Sequence, residues 1–359
     1  PYQASTPLHV EELDLEGPGD GEVLVEVAAA GLCHSDLSVI DGSRPRPVPM
    51  VLGHEAAGTV RELGAGVKGL QPGDQVVFSF VPRCGRCEFC LLGRPALCTN
   101  GAKANLEGTL LGGARRFNWR GRPVHHHLGV SGFATFTVAA QASLIKIDPA
   151  FSLQKAALFG CAIMTGVGAV VNTARVEAGA SVAVFGLGGV GLAAIMGAAL
   201  AGAYPIVAVD IQGDKLEHAR ALGASHTVNG AQTKAVSAVR DVTGGGAAYA
   251  FEAAGRAEVL EQAYLATRRG GTTVTVGLPA PEARFALQAV HLTAEERTLK
   301  GSFMGSCVPE RDVPKFIELY QAGKLPADKL VTHTLTLSDI NLGFERLASG
   351  EAVRQILLP

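Results

Sequence analysis

The chain has 359 residues, 47% of them apolar, and at about 100 to 200 residues per domain this length suits two domains with separate cores. Formal charge is −2, from 31 basic against 33 acidic side chains, and the basic residues are scattered. That leaves no electrostatic footprint for nucleic acid or an anionic membrane, and small-molecule chemistry becomes the default. Seven cysteines, four of them clustered, are too few and too uneven for a disulfide scaffold, and they point to metal binding in a reducing cytoplasm.

No leader with basic, apolar and small-residue segments is legible from Pro1 onward. Over residues 8–27, alternating runs such as EVLVEV, separated by Gly17, Pro18, Gly19 and Asp20, predict hairpin-linked strands. GTVRELGAGV and DQVVFSF continue the pattern around Pro72, Gly73 and Asp74, so the first third of the chain is expected to be antiparallel or barrel-like.

Within that third, GLCHSDLSVIDGSRPRPVPMVLGHE carries a thiol at Cys33 and an imidazole at His54, flanked by runs that read as buried strands. The pair suggests a metal site, and Cys161 in LFGCAIMTG is the candidate third soft ligand because it too follows an apolar run. Cys, His and Cys leave one tetrahedral position open, as a catalytic zinc requires. CGRCEFCLLGRPALC is different. Cys84, Cys87, Cys90 and Cys98 close a tetrahedron of thiolates with no open position, which predicts a structural zinc in a lobe over residues 84–98.

Residues 99–132 are Gly-rich and weakly periodic, the signature of a long functional or surface-ordered loop. His125, His126 and His127 sit inside it, and a histidine triplet alone reads as a solvated segment. A strand pair is expected over 136–147 and a helical region of small residues over 156–171.

The composition then shifts. SVAVFGLGGVGLAAIMGAALAGAYPIVAVD contains a β-branched strand, a Gly-rich turn, a helix of small residues and a second strand ending at Asp210. Its uncharged stretch, 182–209, is long enough to cross a bilayer, but the glycines and Pro205 punctuate it as strand, turn, helix and strand. In the turn, Gly186 permits a tight bend, Gly188 lets backbone approach a pyrophosphate, and Gly191 allows close helix packing, with Gly189 and Val190 between them. Asp210, about 20 residues on, is placed to accept hydrogen bonds from both ribose hydroxyls and to repel a 2′-phosphate, so NAD is favoured over NADP. SHTVN, AAYAFEAAG and GGTTVTVGLP, with amphipathic segments such as DKLEHARALGA between them, predict a parallel, doubly wound sheet. The tail offers a helix in RDVPKFIELYQAGK, a strand in VTHTLTL, a helix in DINLGFERLASG and a final apolar run expected to rejoin the first domain.

With Cys33, His54, Glu55, the four-cysteine lobe, Cys161 and GLGGVG in this order and spacing, the chain resembles zinc-dependent medium-chain alcohol dehydrogenases over essentially its whole length. The long connection from Cys98 to His127 is similar to the branch of animal liver-type and glutathione-dependent formaldehyde enzymes. The resemblance implies an α/β protein with a GroES-like β-rich catalytic domain over 1–162 and 304–359, and a Rossmann NAD-binding domain over 163–303. It implies a homodimer, and alcohols or aldehydes as the small-molecule partners.

Residue by residue, the resemblance assigns the catalytic zinc to Cys33, His54 and Cys161, with Glu55 behind the metal as an alternative ligand. Asp36 would orient His54, in agreement with the habit of metal-bound imidazoles to donate their other N–H to a carboxylate; as an isolated residue it reads as a turn cap. Ser35 would touch the substrate alcohol and open a proton relay, while His34 would contact cofactor phosphate. Thr165 and Val190 match positions against the nicotinamide, Lys215 a ribose contact and Arg354 a pyrophosphate contact; as lone residues these four are ordinary packing or surface choices. Phe80, His127 and Leu128 match the substrate channel, where an aromatic or apolar residue is commoner than histidine. The implied reaction is Lewis-acid activation of an alcohol that expels hydride to the nicotinamide in a dry cleft, with Ser35 carrying the proton away.

Three other functions share parts of this pattern. A thiol-adduct formaldehyde dehydrogenase would commonly carry Thr at Ser35 and acidic residues where this chain has Arg44 and Arg46. A polyol dehydrogenase would have Glu in place of Cys161. A non-catalytic dinucleotide-binding protein would be expected to lose the catalytic ligands, all of which are present.

Overall fold

The computed structural model describes residues 6–359, so the expectation about a leader at Pro1 falls outside the described residues. Two compact units emerge. One comprises the chain up to Cys161 together with Val308–Ile317 and Val331–Pro359; the other comprises Ala162–Cys307 and Glu318–Leu330.

The first unit is built on a seven-stranded sheet whose long central strand, Glu22–Gly31, pairs antiparallel with Glu55–Leu63, Phe136–Ala140 and Arg354–Leu358. EVLVEVAAAG alternates at its start and then turns continuously apolar, and burial follows: Val23, Val25, Ala29 and Ala30 are all sealed from solvent. The apolar end of the chain does rejoin this sheet through Arg354–Leu358, beside Val331–Thr336.

Two local expectations change. Asp14–Leu15 forms no hairpin with Glu22–Gly31; it pairs with Phe117–Trp119 in a separate four-stranded sheet. Nor are residues 99–132 one long surface-ordered loop, for they contain the helix Thr99–Glu107 and an antiparallel hairpin of Phe117–Trp119 with Arg122–His126. The helix has a cap at each end: Cys98 Sγ accepts from Gly101 N, and Gly108 closes it at φ 65°. Both elements are too short and too polar to show strongly in periodicity.

The second unit holds a six-stranded, all-parallel sheet in the order His226–Asn229, Ile206–Asp210, Val182–Phe185, Ala247–Glu252, Thr267–Thr275, Thr298–Gly301. This is the doubly wound topology the alternating units predict, and its order reverses beside Val182–Phe185. That strand is buried at every position, as expected where helices cover both faces.

The stretch long enough for a bilayer resolves into Val182–Phe185, the helix Gly189–Leu200 and Ile206–Asp210. The helix is apolar all round because it is buried all round. Ala162–Gly168 lies against it so closely that a Cβ on Gly166 would fall 2.3 Å from Val190 O. Among the described residues no single helix is long and apolar enough to cross a membrane.

Candidate metal and dinucleotide sites

Cys33 and Cys161 enter the first unit from distant parts of its opening segment, 128 residues apart. Cys33 precedes the helix His34–Ile40 at the end of the central strand, and Cys161 ends the helical segment Ala157–Gly160. His54 and Glu55 stand where Glu55–Leu63 begins beside Gly31. Ligand atoms of Cys33, His54, Glu55 and Cys161 all fall within 4.8 Å of one another, and all four residues are buried.

The electrostatics of this cluster suit a cation. The hydrogen bond from Cys161 favours the Cys33 thiolate and holds its pKa well below the usual thiol range, while Cys161 is pushed up as the partner that keeps the proton. Burial pushes the Glu55 carboxyl up to about 8, against the pull of Arg354. Glu55 Oε2 has no hydrogen-bond partner, and Oε1 faces Arg354 without hydrogen-bond alignment. Two sulfurs, an imidazole and an unsatisfied carboxylate buried together form a donor set that zinc satisfies.

Asp36 lies beneath this set, fully buried, on the first turn of His34–Ile40. Its Oδ2 is 3.0 Å from His54 Nδ1, at ion-pair distance without hydrogen-bond alignment, and a proton on Nδ1 facing that carboxylate leaves Nε2 as the candidate metal-binding nitrogen. Burial opposes the charge on both groups, yet their mutual attraction prevails: Asp36 is held below the usual carboxylate range and His54 raised well above the usual imidazole range. The carboxylate also accepts from Gly53 N, an orienting arrangement instead of the turn cap that the sequence alone allows.

The histidine triplet is not a solvated segment. His126 and His127 are 0% and 2% exposed, and only His125 reaches solvent. His127 places Nδ1 3.0 Å from Asp36 Oδ1. Burial lowers its basicity despite that carboxylate. Phe80 meets the His54 ring edge-on at 5.6 Å, and Leu128 is half-buried at φ 53°.

Of the proton-relay candidates, Ser35 is half-buried, His34 is exposed, and the hydroxyl of Ser38 donates to His34 O at 2.8 Å. Arg354 turns inward. Its Nη1 is 2.9 Å from Glu55 Oε1 and donates to Leu32 O, so its partners in this unit are the carboxylate behind the candidate metal and a backbone carbonyl.

The sulfurs of Cys84, Cys87, Cys90 and Cys98 also lie within 4.8 Å of one another. Backbone N–H groups are aimed at them: Cys84 N and Gly101 N donate to Cys98 Sγ, and Cys87 N to Cys84 Sγ, each at 3.3 Å. Such bonds stabilise thiolates, and the N–H of Cys90 helps to lower Cys87 to about 6. A cleft of about 910 Å³ opens beside this lobe, lined by Cys84 and not by the Cys33 cluster.

In the second unit the three fingerprint glycines have distinct surroundings. Gly186 sits at φ 89°, and a Cβ there would strike Ala254 at 2.7 to 2.9 Å. Gly188, the N-cap of Gly189–Leu200, has nothing within 4 Å of its missing Cβ, leaving backbone open to a ligand. A Cβ on Gly191 would fall 1.8 Å from Gly186 O. Asp210 Oδ2 accepts from Leu187 N at 2.7 Å, and Oδ1 accepts from Ile211 N and Gln212 N. Lys215 is half-buried on the following helix, and Thr165 is buried with an unpartnered hydroxyl on Ala162–Gly168.

Residues 19–149 match the family described as Alcohol dehydrogenase GroES-like domain, and residues 189–322 the family described as Zinc-binding dehydrogenase. The chain is similar to an alcohol dehydrogenase zinc-binding domain protein from Burkholderia ambifaria, with 38% identity, TM-score 0.95, and 99% of this chain and 96% of that one covered. It is similar to benzyl alcohol dehydrogenase from Acinetobacter calcoaceticus at 33% identity, TM-score 0.94 and the same coverage. A zinc-binding dehydrogenase from Sinorhizobium meliloti 1021, bound to NADP, aligns at 25% identity and TM-score 0.79, covering 96% of this chain and 94% of that one.

Proposed function

Since the chain belongs to the zinc-binding dehydrogenases, with a GroES-like and a Rossmann domain, we propose that it interconverts alcohols and aldehydes or ketones with NAD as the hydride carrier. The observation that carries this reading is the buried convergence of Cys33, His54, Glu55 and Cys161 in a chain that also holds the glycine fingerprint and Asp210. Bound there, zinc supplies Lewis acidity to an alcohol oxygen, and the dinucleotide supplies the hydride acceptor.

The chain's own residues do the rest. Asp36 fixes His54 in the tautomer that leaves Nε2 free. Ser35 accepts the alcohol proton through its hydroxyl and passes it outward, while Ser38, bonded to its own helix, stays out of the path. Phe80 and Leu128 line the substrate side. In the second unit Gly186, Gly188, Gly189, Val190 and Gly191 receive the pyrophosphate, with Lys215 at the ribose and Thr165 at the nicotinamide; in the first unit His34 and Arg354, the latter also engaged with Glu55, are the phosphate-contact candidates. Asp210 takes the ribose hydroxyls. The exposed Ile211 after it offers no cation to a 2′-phosphate, which supports NAD over NADP.

The cofactor domain is centred on residues 163–303 and the catalytic one on 1–162 with 304–359, except that the tail segment Glu318–Leu330 packs with the second unit. The four-cysteine lobe binds a structural zinc. Exposed Val290, Leu292 and Phe303 near the outer strand Thr298–Gly301 support a homodimer, and seven free cysteines suit a reducing cytoplasm. The folded Cys98–His127 connection supports a place near the liver-type branch, while Arg44 and Arg46 weigh against glutathione.

The test is zinc content together with reduction of NAD and NADP by a panel running from ethanol to benzylic and terpenoid alcohols. Two zinc ions per chain are expected, one per donor cluster, falling to one in Cys98→Ser with lower thermal stability. A protein that binds zinc at neither cluster, or that oxidises no alcohol with either cofactor, would overturn the proposal.

A further inference from the structure

Asp36 serves two imidazoles at once. Oδ2 lies 3.0 Å from His54 Nδ1, and Oδ1 lies 3.0 Å from His127 Nδ1 while also accepting from Gly53 N at 3.2 Å. Asp36, His54 and His127 are 0%, 1% and 2% exposed. The two rings meet edge to face, with centroids 5.8 Å apart and planes at 90°. Phe80 meets the His54 ring at 86°, so His54 is bounded by a carboxylate, an imidazole and a phenyl ring.

The two contacts stand at ion-pair distance without hydrogen-bond alignment, and a carboxylate buried between two ring nitrogens is compensated by a proton on each. Both imidazoles then carry the proton on Nδ1, and each has Nε2 as its free base. The His127 backbone is held as firmly as its ring. Its N–H donates to Ser131 Oγ at 3.0 Å, and its carbonyl accepts from Val130 N and Ser131 N. A ring anchored at both ends is an orienting device, which an aromatic or apolar residue could not be.

We infer that His127 is a positioning residue for the metal ligand His54, acting through the carboxylate of Asp36 that the two imidazoles share. The inference rests on the reading of Cys33, His54 and Cys161 as a metal site. Without the His127 donor, Oδ1 keeps only the longer bond from Gly53, and the carboxylate is free to turn away from the His54 plane. Removing an outer-shell partner of a metal ligand costs about 10- to 100-fold in metal affinity, and His127 acts one step further out, so about 10-fold is expected.

The experiment measures zinc affinity by competition with a chromophoric chelator, the four-cysteine site serving as internal reference. Wild type is compared with His127→Leu, His127→Asn and Asp36→Asn. His127→Leu should weaken the Cys33 site about 10-fold and leave the four-cysteine site unchanged, while His127→Asn, whose amide offers an N–H near the Nδ1 position, should recover most of the loss. Unchanged affinity in His127→Leu, or equal losses in the Leu and Asn variants, overturns the inference. Should His127→Leu not fold, nitrogen-15 spectra of histidine-labelled wild type decide: His127 must appear as a protected Nδ1–H tautomer, and an Nε2–H form overturns the proposal. Failure of the underlying reading looks different, because wild type itself would then bind no zinc beyond the four-cysteine site.

Discussion

The Arg354 guanidinium stands 2.9 Å from the Glu55 carboxylate with the two side chains only 3% and 0% exposed. Burial works against the arginine's charge, and the facing Glu55, Cys33 and Cys161 more than offset it. Removing one partner of such a pair typically costs about 3–5 kcal/mol, because the other is left buried and uncompensated. Arg354→Met should therefore lower stability by about 3 kcal/mol, the smaller end, because Glu55 already sits near the point of taking up a proton. Adding Glu55→Gln should recover part of that loss. Urea unfolding of the two single variants and the double variant measures the coupling; strictly additive losses would show that the pair contributes nothing as a pair.

Asp210 does two jobs at once. Its carboxylate accepts from Leu187 N, which ties it to the glycine turn, and from Ile211 N and Gln212 N, which fix its own rotamer. Asp210→Gly should relax the discrimination against NADP and also loosen the turn, lowering NAD affinity by about 10-fold at about 1.4 kcal/mol per decade. Steady-state kinetics with both cofactors check this. A wild-type preference for NADP would refute the assigned role.

The hydroxyl of Ser38 is occupied by the carbonyl of His34, one helical turn back. Ser35→Ala should accordingly reduce alcohol oxidation severely, and Ser38→Ala should change it little. Ser38→His should raise turnover at lower pH, since an imidazole with a pKa of about 6.5 can hold the proton that a serine can only relay. The pH profile of turnover for the three variants with one alcohol is the measurement. A loss in Ser38→Ala as large as in Ser35→Ala would make Ser38 an obligatory relay member.

His126 should make the protein acid-sensitive. Burial, with Arg116, His125 and Arg115 adding repulsion, pushes its pKa down to about 3 from 6.5, and Nε2 accepts a hydrogen bond from Arg116 N. The folded state thus holds the ring neutral, while the unfolded chain takes up a proton below about pH 6.5. The unfolded state binds more protons between about pH 6.5 and 3, so this contribution is intact above pH 6.5 and is lost as pH falls through that window. At pH 5 the loss comes to about 2 kcal/mol relative to pH 8. His126→Gln, which keeps an acceptor and cannot titrate there, should show a shallower decline in unfolding free energy over this range. Parallel declines would mean that His126 is protonated in the folded protein.

Local chemistry was enough to read several parts of this protein from its sequence. Gly186, Gly188 and Gly191 with Asp210 are legible because each answers a short-range demand: a positive φ, an open backbone, a contact too close for Cβ. The convergence of the four cysteines is legible because two-residue gaps turn successive thiols toward one point, and the doubly wound sheet because alternation of strand and helix admits few topologies. Tertiary structure alone decided the rest. Nothing in HHH distinguishes a solvated segment from a buried one; the burial of His126 and His127 is set by a hairpin whose polar strands carry little periodicity. Asp36 binding two imidazoles, 18 and 91 residues away, and Arg354 reaching Leu32 O across 322 positions are products of sheet register. Pairing partners that far apart are fixed by which strands lie side by side, a property of the folded core that no local pattern of residues encodes.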